Sequence, residues 1–144
     1  MSPKILVVDD HKRLVTIIQR ILEREGHEVV TAFDGLEGLW KAKAEKPNLI
    51  ILDVVMPKMD GFEVCRRLQS DPDTADIPVL LLTVKGQLNK PNLDGVTIDA
   101  RLKEQREGFD AGAIEFLSKP VTPEQLLNRV RPLLWFDSVS TEQP

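Results

Sequence analysis

At 144 residues, 42% of them hydrophobic and 29% charged, the chain has the size and balance of one ordinary domain with a single sizeable core. A formal net charge of −4 argues against a surface built to hold nucleic-acid phosphates, so no direct nucleic-acid partner is expected. Cys65 is the sole cysteine and His11 and His27 the sole histidines, which excludes an internal disulfide and a cysteine-based zinc site and fits a reducing, cytoplasmic location.

Lys4 to Asp9 (KILVVD) is a short β-branched run ending in acid, and Leu14, Ile17, Ile18, Ile21 and Leu22 then predict a helix with those residues on one face. Ile5 to Val8 is too short for a signal sequence or a membrane span, and nothing later approaches spanning length, so no membrane partner is expected. Gly26 stops the first helix and Glu28 to Ala32 reads as the second strand. Leu36, Leu39 and Trp40 predict the inner face of a second helix, which ends at Pro47. Asn48 to Asp53 (NLIILD) is an uninterrupted apolar run, the pattern of a strand buried on both sides, and it too ends in aspartate.

A third helix is predicted from about Asp60 to Ser70 with Phe62, Cys65 and Leu68 inward, bounded beyond by Pro72 and Pro78. Val79 to Thr83 reads as a fourth buried strand, Leu102 to Ala111 as a fourth helix before Gly112, and Ile114 to Ser118 as a fifth strand. Thr122, Pro123 and Gln125 supply the N-cap, first-turn proline and capping-box partner of a last helix carrying Leu126, Leu127 and Val130, which Pro132 is expected to kink or end. Leu133, Leu134, Trp135 and Phe136 read as the end of that helix packed on the sheet. Asp137 to Pro144 reads as a polar tail, leaving residues 1–136 as the domain.

Strands alternating with helices imply an α/β fold, a parallel sheet covered on both faces. In such sheets ligands gather beyond the carboxyl ends of the strands, and Asp9, Asp10, Asp53 and Thr83 fall at that edge, with Lys119 just past the fifth strand. Three carboxylates in one pocket repel unless a cation is bound, and hard oxygen donors suit Mg²⁺. Aspartate can attack phosphorus, while the Thr83 hydroxyl and the Lys119 ammonium can hold phosphoryl oxygens.

The set VVDDH at Val7 to His11, LDVVMPKMDG at Leu52 to Gly61, LLLTVKG at Leu80 to Gly86 and GAIEFLSKP at Gly112 to Pro120 resembles the receiver domain of two-component response regulators over nearly the whole chain, roughly Lys4 to Leu134. The resemblance implies a flavodoxin-like, doubly wound sheet of five parallel strands in the order 2-1-3-4-5. It implies Asp53 as phospho-acceptor, with Mg²⁺ held directly by Asp10, Asp53 and the backbone carbonyl of Val55, and by Asp9 through water. Thr83 and Lys119 would bind the phosphoryl group, Thr83 and Phe116 would switch, and the Lys119–Pro120 bond would be cis. The implied partners are a sensor histidine kinase or histidine phosphotransfer protein and a downstream protein target. A homodimer through the face of the fourth helix, fifth strand and fifth helix is a further candidate.

Two features depart from that pattern. Val55 and Val84 are bulky and apolar beside the acceptor and the switch threonine, so they are expected to hinder water and lengthen the phosphoryl lifetime. Roughly Leu88 to Ala100 is an insertion, with Pro91 and Asp94-Gly95, read as a small hairpin or a loop that contributes to partner choice. His11, first residue of a helix, reads as a pocket-rim side chain without a catalytic role. The function expected is a stand-alone phosphorylation switch, with no enzymatic activity beyond its own phosphorylation and dephosphorylation. The rivals are an Mg²⁺-dependent aspartyl phosphohydrolase, which wants an acid/base carboxylate where Val55 stands, and a phosphate-independent interaction module.

Overall fold

The computed structural model describes residues 2–84, 112–113, 115–119 and 121–142, with the backbone alone at Val84 and at 135–142. Five parallel strands, β1 (Lys4–Val8), β2 (Glu28–Ala32), β3 (Leu49–Asp53), β4 (Val79–Val84) and β5 (Glu115–Lys119), form one sheet in the order β2-β1-β3-β4-β5. Crossover helices α1 (Lys12–Arg24), α2 (Gly35–Glu45) and α3 (Gly61–Ser70), with the closing helix α4 (Pro123–Glu142), cover it. This is the parallel, doubly covered sheet that the alternating pattern implies, in the flavodoxin-like order that the resemblance implies.

Alternation along each strand divides the core in two. Ile5, Val7, Leu49, Ile51, Leu80, Leu82 and Leu117 pack with Val15, Ile18 and Leu22 of α1 and Leu126, Val130 and Leu134 of α4. Leu6, Val8, Ile50, Leu52, Val79, Leu81 and Phe116 face Ala42 of α2 and Phe62, Val64, Cys65 and Leu68 of α3. Every residue of β3 is buried, as expected of the central strand of a sheet covered on both sides.

Two helices turn differently from the sequence reading. In α1, Val15, Ile18 and Leu22 form the buried stripe while Ile17 is 46% exposed, because one residue's rotation of about 100° carries it off the sheet beside Ile18. In α2 the expected inner residues Leu36 and Trp40 are 64% and 69% exposed, with Leu39 only partly buried, and the true inner face is Gly35, Gly38 and Ala42. The cause is close approach: a Cβ at Gly38 would lie 3.0 Å from both Cγ atoms of Val8, and one at Gly35 would lie 2.9 Å from Val64 Cγ2. At that spacing only small residues fit between helix and strand, so the large ones point out.

The chain ends also differ from expectation. Helix α4 opens on the anticipated capping box, with Gln125 N donating to Thr122 Oγ1 at 3.1 Å. It then runs through Pro132 to Glu142, so the helix does not end at that proline and continues into the polar segment at 137–142. Val130 and Leu134 both stay buried on either side of the proline, and that packing carries the helix across the backbone donor Pro132 lacks. Strand β5 reaches Lys119, placing that lysine inside the strand. The insertion at 88–100, the helix at 102–111, Ile114 and the Lys119–Pro120 bond lie outside the described residues.

Candidate functional site

Three strands deliver the site by the same parity that sorts the core. Asp9 continues the alternation of Ile5 and Val7, with its N–H donating to Ala32 O at 3.1 Å as an extension of the β1–β2 ladder. Asp53 continues that of Leu49 and Ile51, and Lys119 that of Leu117, so all three project to the α1/α4 side of the rim. Lys119 Nζ sits 3.0 Å from Asp9 Oδ2 and 3.0 Å from Asp53 Oδ1, one ammonium bridging two fully buried carboxylates.

The turn after β3 is built tightly behind Asp53. Gly61 N donates to Val54 O at 2.8 Å, and Asp60 caps α3 by accepting from Glu63 N at 2.9 Å. A Cβ at Gly61 would press into the Asp53 carbonyl and come within 2.9 Å of Val54 Cα, so the fold requires glycine there. The intervening loop brings Val55, 41% exposed, to the rim.

Charge is unbalanced in the pocket. Both oxygens of Asp53, Oδ2 of Asp9 and Oδ1 of Asp10 are buried without an aligned hydrogen-bond partner. Burial first, and the neighbouring Asp9 charge second, push the Asp53 carboxyl up to about 6, against the pull of Lys119. Burial would lower Lys119, but contact with Asp9 and the charges of Asp53 and Asp9 outweigh it and hold the ammonium above its usual value. A divalent cation fits this chemistry: the carboxylates of Asp9, Asp10 and Asp53 converge where Lys119 supplies a single ammonium to two of them.

Thr83 arrives at the same edge on the opposite parity. It is 5% exposed, pairs in register with Ser118 and donates from Oγ1 to Ser118 Oγ at 3.2 Å, so its hydroxyl is engaged away from Asp53. Phe116, the implied switch aromatic, is 8% exposed within the α2/α3 half of the core. The side chain of Val84 lies outside the described residues.

Ser118 went unassigned in the sequence reading, and His11 was read there as a pocket-rim side chain. Ser118 holds the Thr83 hydroxyl, and only the β4–β5 register, which a sequence does not print, pairs them. His11 is drawn back onto the acids: its N–H donates to Asp9 Oδ1 at 2.9 Å, and its ring Nδ1 lies 2.9 Å from the same oxygen and 3.3 Å from Asp10 Oδ1. The Asp9 contact raises the His11 imidazole above its ordinary value. The adjacency of His11 to two aspartates was the available signal.

Residues 5–94 match the family described as the response regulator receiver domain. The chain is 42% identical over 132 residues to the DNA-binding dual master transcriptional regulator RpaA of Synechocystis, a match covering 92% of this chain and 49% of that protein. The chain therefore spans about half the length of that curated relative. Chemotaxis protein CheY4 of Vibrio cholerae shares the fold with a TM-score of 0.78 at 32% identity, over 92% of this chain and 99% of that one. The receiver domain of a signal transduction histidine kinase from Syntrophus aciditrophicus does so with a TM-score of 0.78 at 31% identity, over 99% and 96%.

Proposed function

Because the chain belongs to the response regulator receiver domain family, we propose that Asp53 accepts a phosphoryl group from a histidine kinase or histidine phosphotransfer protein and so switches the protein's binding surface. The observation that carries this reading is Asp53 itself: fully buried at the end of β3, beside Asp9, and 3.0 Å from the Lys119 ammonium. A carboxylate so poised is a nucleophile held beside a fixed positive charge.

In the transfer, an Asp53 oxygen forms a bond to phosphorus as the phosphorus–nitrogen bond of the donor's phosphohistidine breaks, and that electron pair leaves on the imidazole nitrogen. The product is an acyl phosphate. Lys119 holds charge developing on the phosphoryl oxygens, and Thr83 exchanges its Ser118 acceptor for one of them. Asp10, Asp53 and the Val55 carbonyl would hold Mg²⁺, with Asp9 acting through water; the ion supplies neutralisation of the phosphoryl and carboxylate charge.

Phosphorylation adds about −1.5 to −2 charge to the pocket. Drawing Thr83 off Ser118 releases a tie between β4 and β5, and Phe116, two residues earlier on β5, responds to that release; this couples the pocket to the β5 edge of the sheet. The output is a protein target bound at that edge, or a second copy of the chain, in a cytoplasmic switch. RpaA's DNA binding belongs to a protein twice as long, and direct contact with nucleic acid is not part of this proposal. Among the described residues no helix is long and apolar enough to cross a membrane.

Catalysis is confined to the protein's own phosphorylation and dephosphorylation, because Val55 offers no proton-transferring group at the rim. Incubation with acetyl phosphate and Mg²⁺, with Asp53→Ala as control, tests the reading by intact mass. One phosphoryl group per chain, absent in the variant, is expected. Continuous release of phosphate over many turnovers would make the protein a phosphohydrolase, and an unlabelled wild type would leave only an interaction module.

A further inference from the structure

We propose that the outer face of α2 joins two copies of this chain, each α2 packing antiparallel against the other about Trp40. Trp40 is 69% exposed and Leu36, one turn before it, 64% exposed. Close packing at Gly35 and Gly38 explains why these side chains point outward. It does not require them to be apolar, since a charged side chain at either place would fit the fold equally well. An apolar ridge held in water is unfavourable, and a second copy laid on it removes that surface from solvent.

The ridge is shaped for its own image. Leu36, Trp40 and Ala44 follow one another at intervals of four residues, the spacing whose ridges interlock when two helices cross. Turning one copy end for end about Trp40 brings the bulky Leu36 of each level with the small, exposed Ala44 of the other, and sets the two indoles side by side at the axis.

Charge favours the same orientation. The start of α2 carries Asp34 and Glu37, and its end carries Lys43 followed by Lys46. A parallel copy would set acid beside acid, whereas an antiparallel one brings Lys43 of each to the acidic turn of the other and opposes the helix dipoles. Within one copy Lys43 rests on Asp71 at 3.2 Å and Asp73 at 3.8 Å, but it is 59% exposed, and ion pairs so open to water are weak enough to exchange.

Area sets the strength. Trp40 and Leu36 leave roughly 300 Å² of apolar surface in water per copy. At the usual apolar share of an interface, two copies then bury about 1,000 Å² in total, the size of a reversible contact rather than an obligate one. Helix α2 lies over β1 and β2, across the sheet from β5, so the pairing leaves the β5 edge open and is separate from the homodimer face that the resemblance implies.

Sedimentation of the full chain over a concentration series, read beside the fluorescence of Trp40 in a Trp135→Phe background, tests the proposal without reference to phosphorylation. A monomer–dimer equilibrium is expected, with Trp40 emission moving to the blue as the dimer forms and the indole dries. Trp40→Glu should raise the dissociation constant about thirtyfold or more, as for an anchor at the centre of an interface, while urea unfolding of the monomer stays as in wild type. A monomer at every concentration leaves the ridge to a different protein and overturns the proposal. A dimer that survives Trp40→Glu, or that forms with no change in Trp40 emission, joins through another face and overturns it equally.

Discussion

The interiors of β1 and β3 and their last positions obey opposite rules within a single residue's rise. Ile5 to Val8 and Leu49 to Leu52 are buried apolar side chains packed on both faces, whereas Asp9 and Asp53, equally buried, are carboxylates that share the one Lys119 ammonium. The interior stabilises through area removed from water; the rim withholds stability by keeping carboxylates away from solvent and from one another's compensation. Rigid strands make that tolerable, because the same hydrogen-bonded register that packs Ile51 also fixes where Asp53 stands. A reactive edge is thus carried by an inert middle.

The largest expected effect lies in the middle. Ile51 is 0% exposed between α1, α4 and the neighbouring strands, so Ile51→Ala should remove about 2–5 kcal/mol of stability in urea unfolding, through lost burial plus a residual cavity. A loss near zero would mean the core tolerates voids and the contrast between middle and rim is overstated.

The rim should answer in the opposite direction. Asp53 has its carboxyl pushed up to about 6 by burial and the Asp9 charge, so in the metal-free fold ionisation opposes folding. For a carboxyl raised in the folded state, stability is full below the unfolded value near 4 and is lost as pH climbs through about 6. Asp53→Asn should therefore match wild type at low pH and exceed it at neutral pH by on the order of 2 kcal/mol without metal. Urea unfolding across that pH range checks it. A neutral-pH loss instead would show that the Lys119 contact outweighs the desolvation.

Much of this division was legible beforehand, for a physical reason. Apolar runs closing on Asp9 and Asp53 state both the burial and its end, and the Thr122 to Gln125 capping box declared the start of α4. Helix α2 was misread because hydrophobicity suggests an inner face only when helix and sheet stand a side chain apart. Gly38 against Val8 closes that distance and turns Trp40 outward. At the site, Asp9, Asp53 and Lys119 could be placed from strand ends alone. The Thr83–Ser118 bond could not, because it depends on register between strands separated by the stretch from 85 to 111.

That bond gives the smallest and most discriminating effect. Thr83 Oγ1 reaches Ser118 Oγ at 3.2 Å, on the side of the sheet opposite to the carboxylates, so it belongs to the rim by position and to the interior by parity. In the unphosphorylated protein a double-mutant cycle of Thr83→Ala and Ser118→Ala should return a coupling of about 0.5–1.5 kcal/mol, the net worth of one such hydrogen bond. With beryllofluoride and Mg²⁺ occupying the acceptor position of Asp53, the hydroxyl should turn to the anion and the coupling should fall towards zero. A coupling that persists unchanged would mean Thr83 stays with β5 in both states, and the contact between β4 and β5 would then be part of the inert middle, unavailable to transmit the state of the pocket.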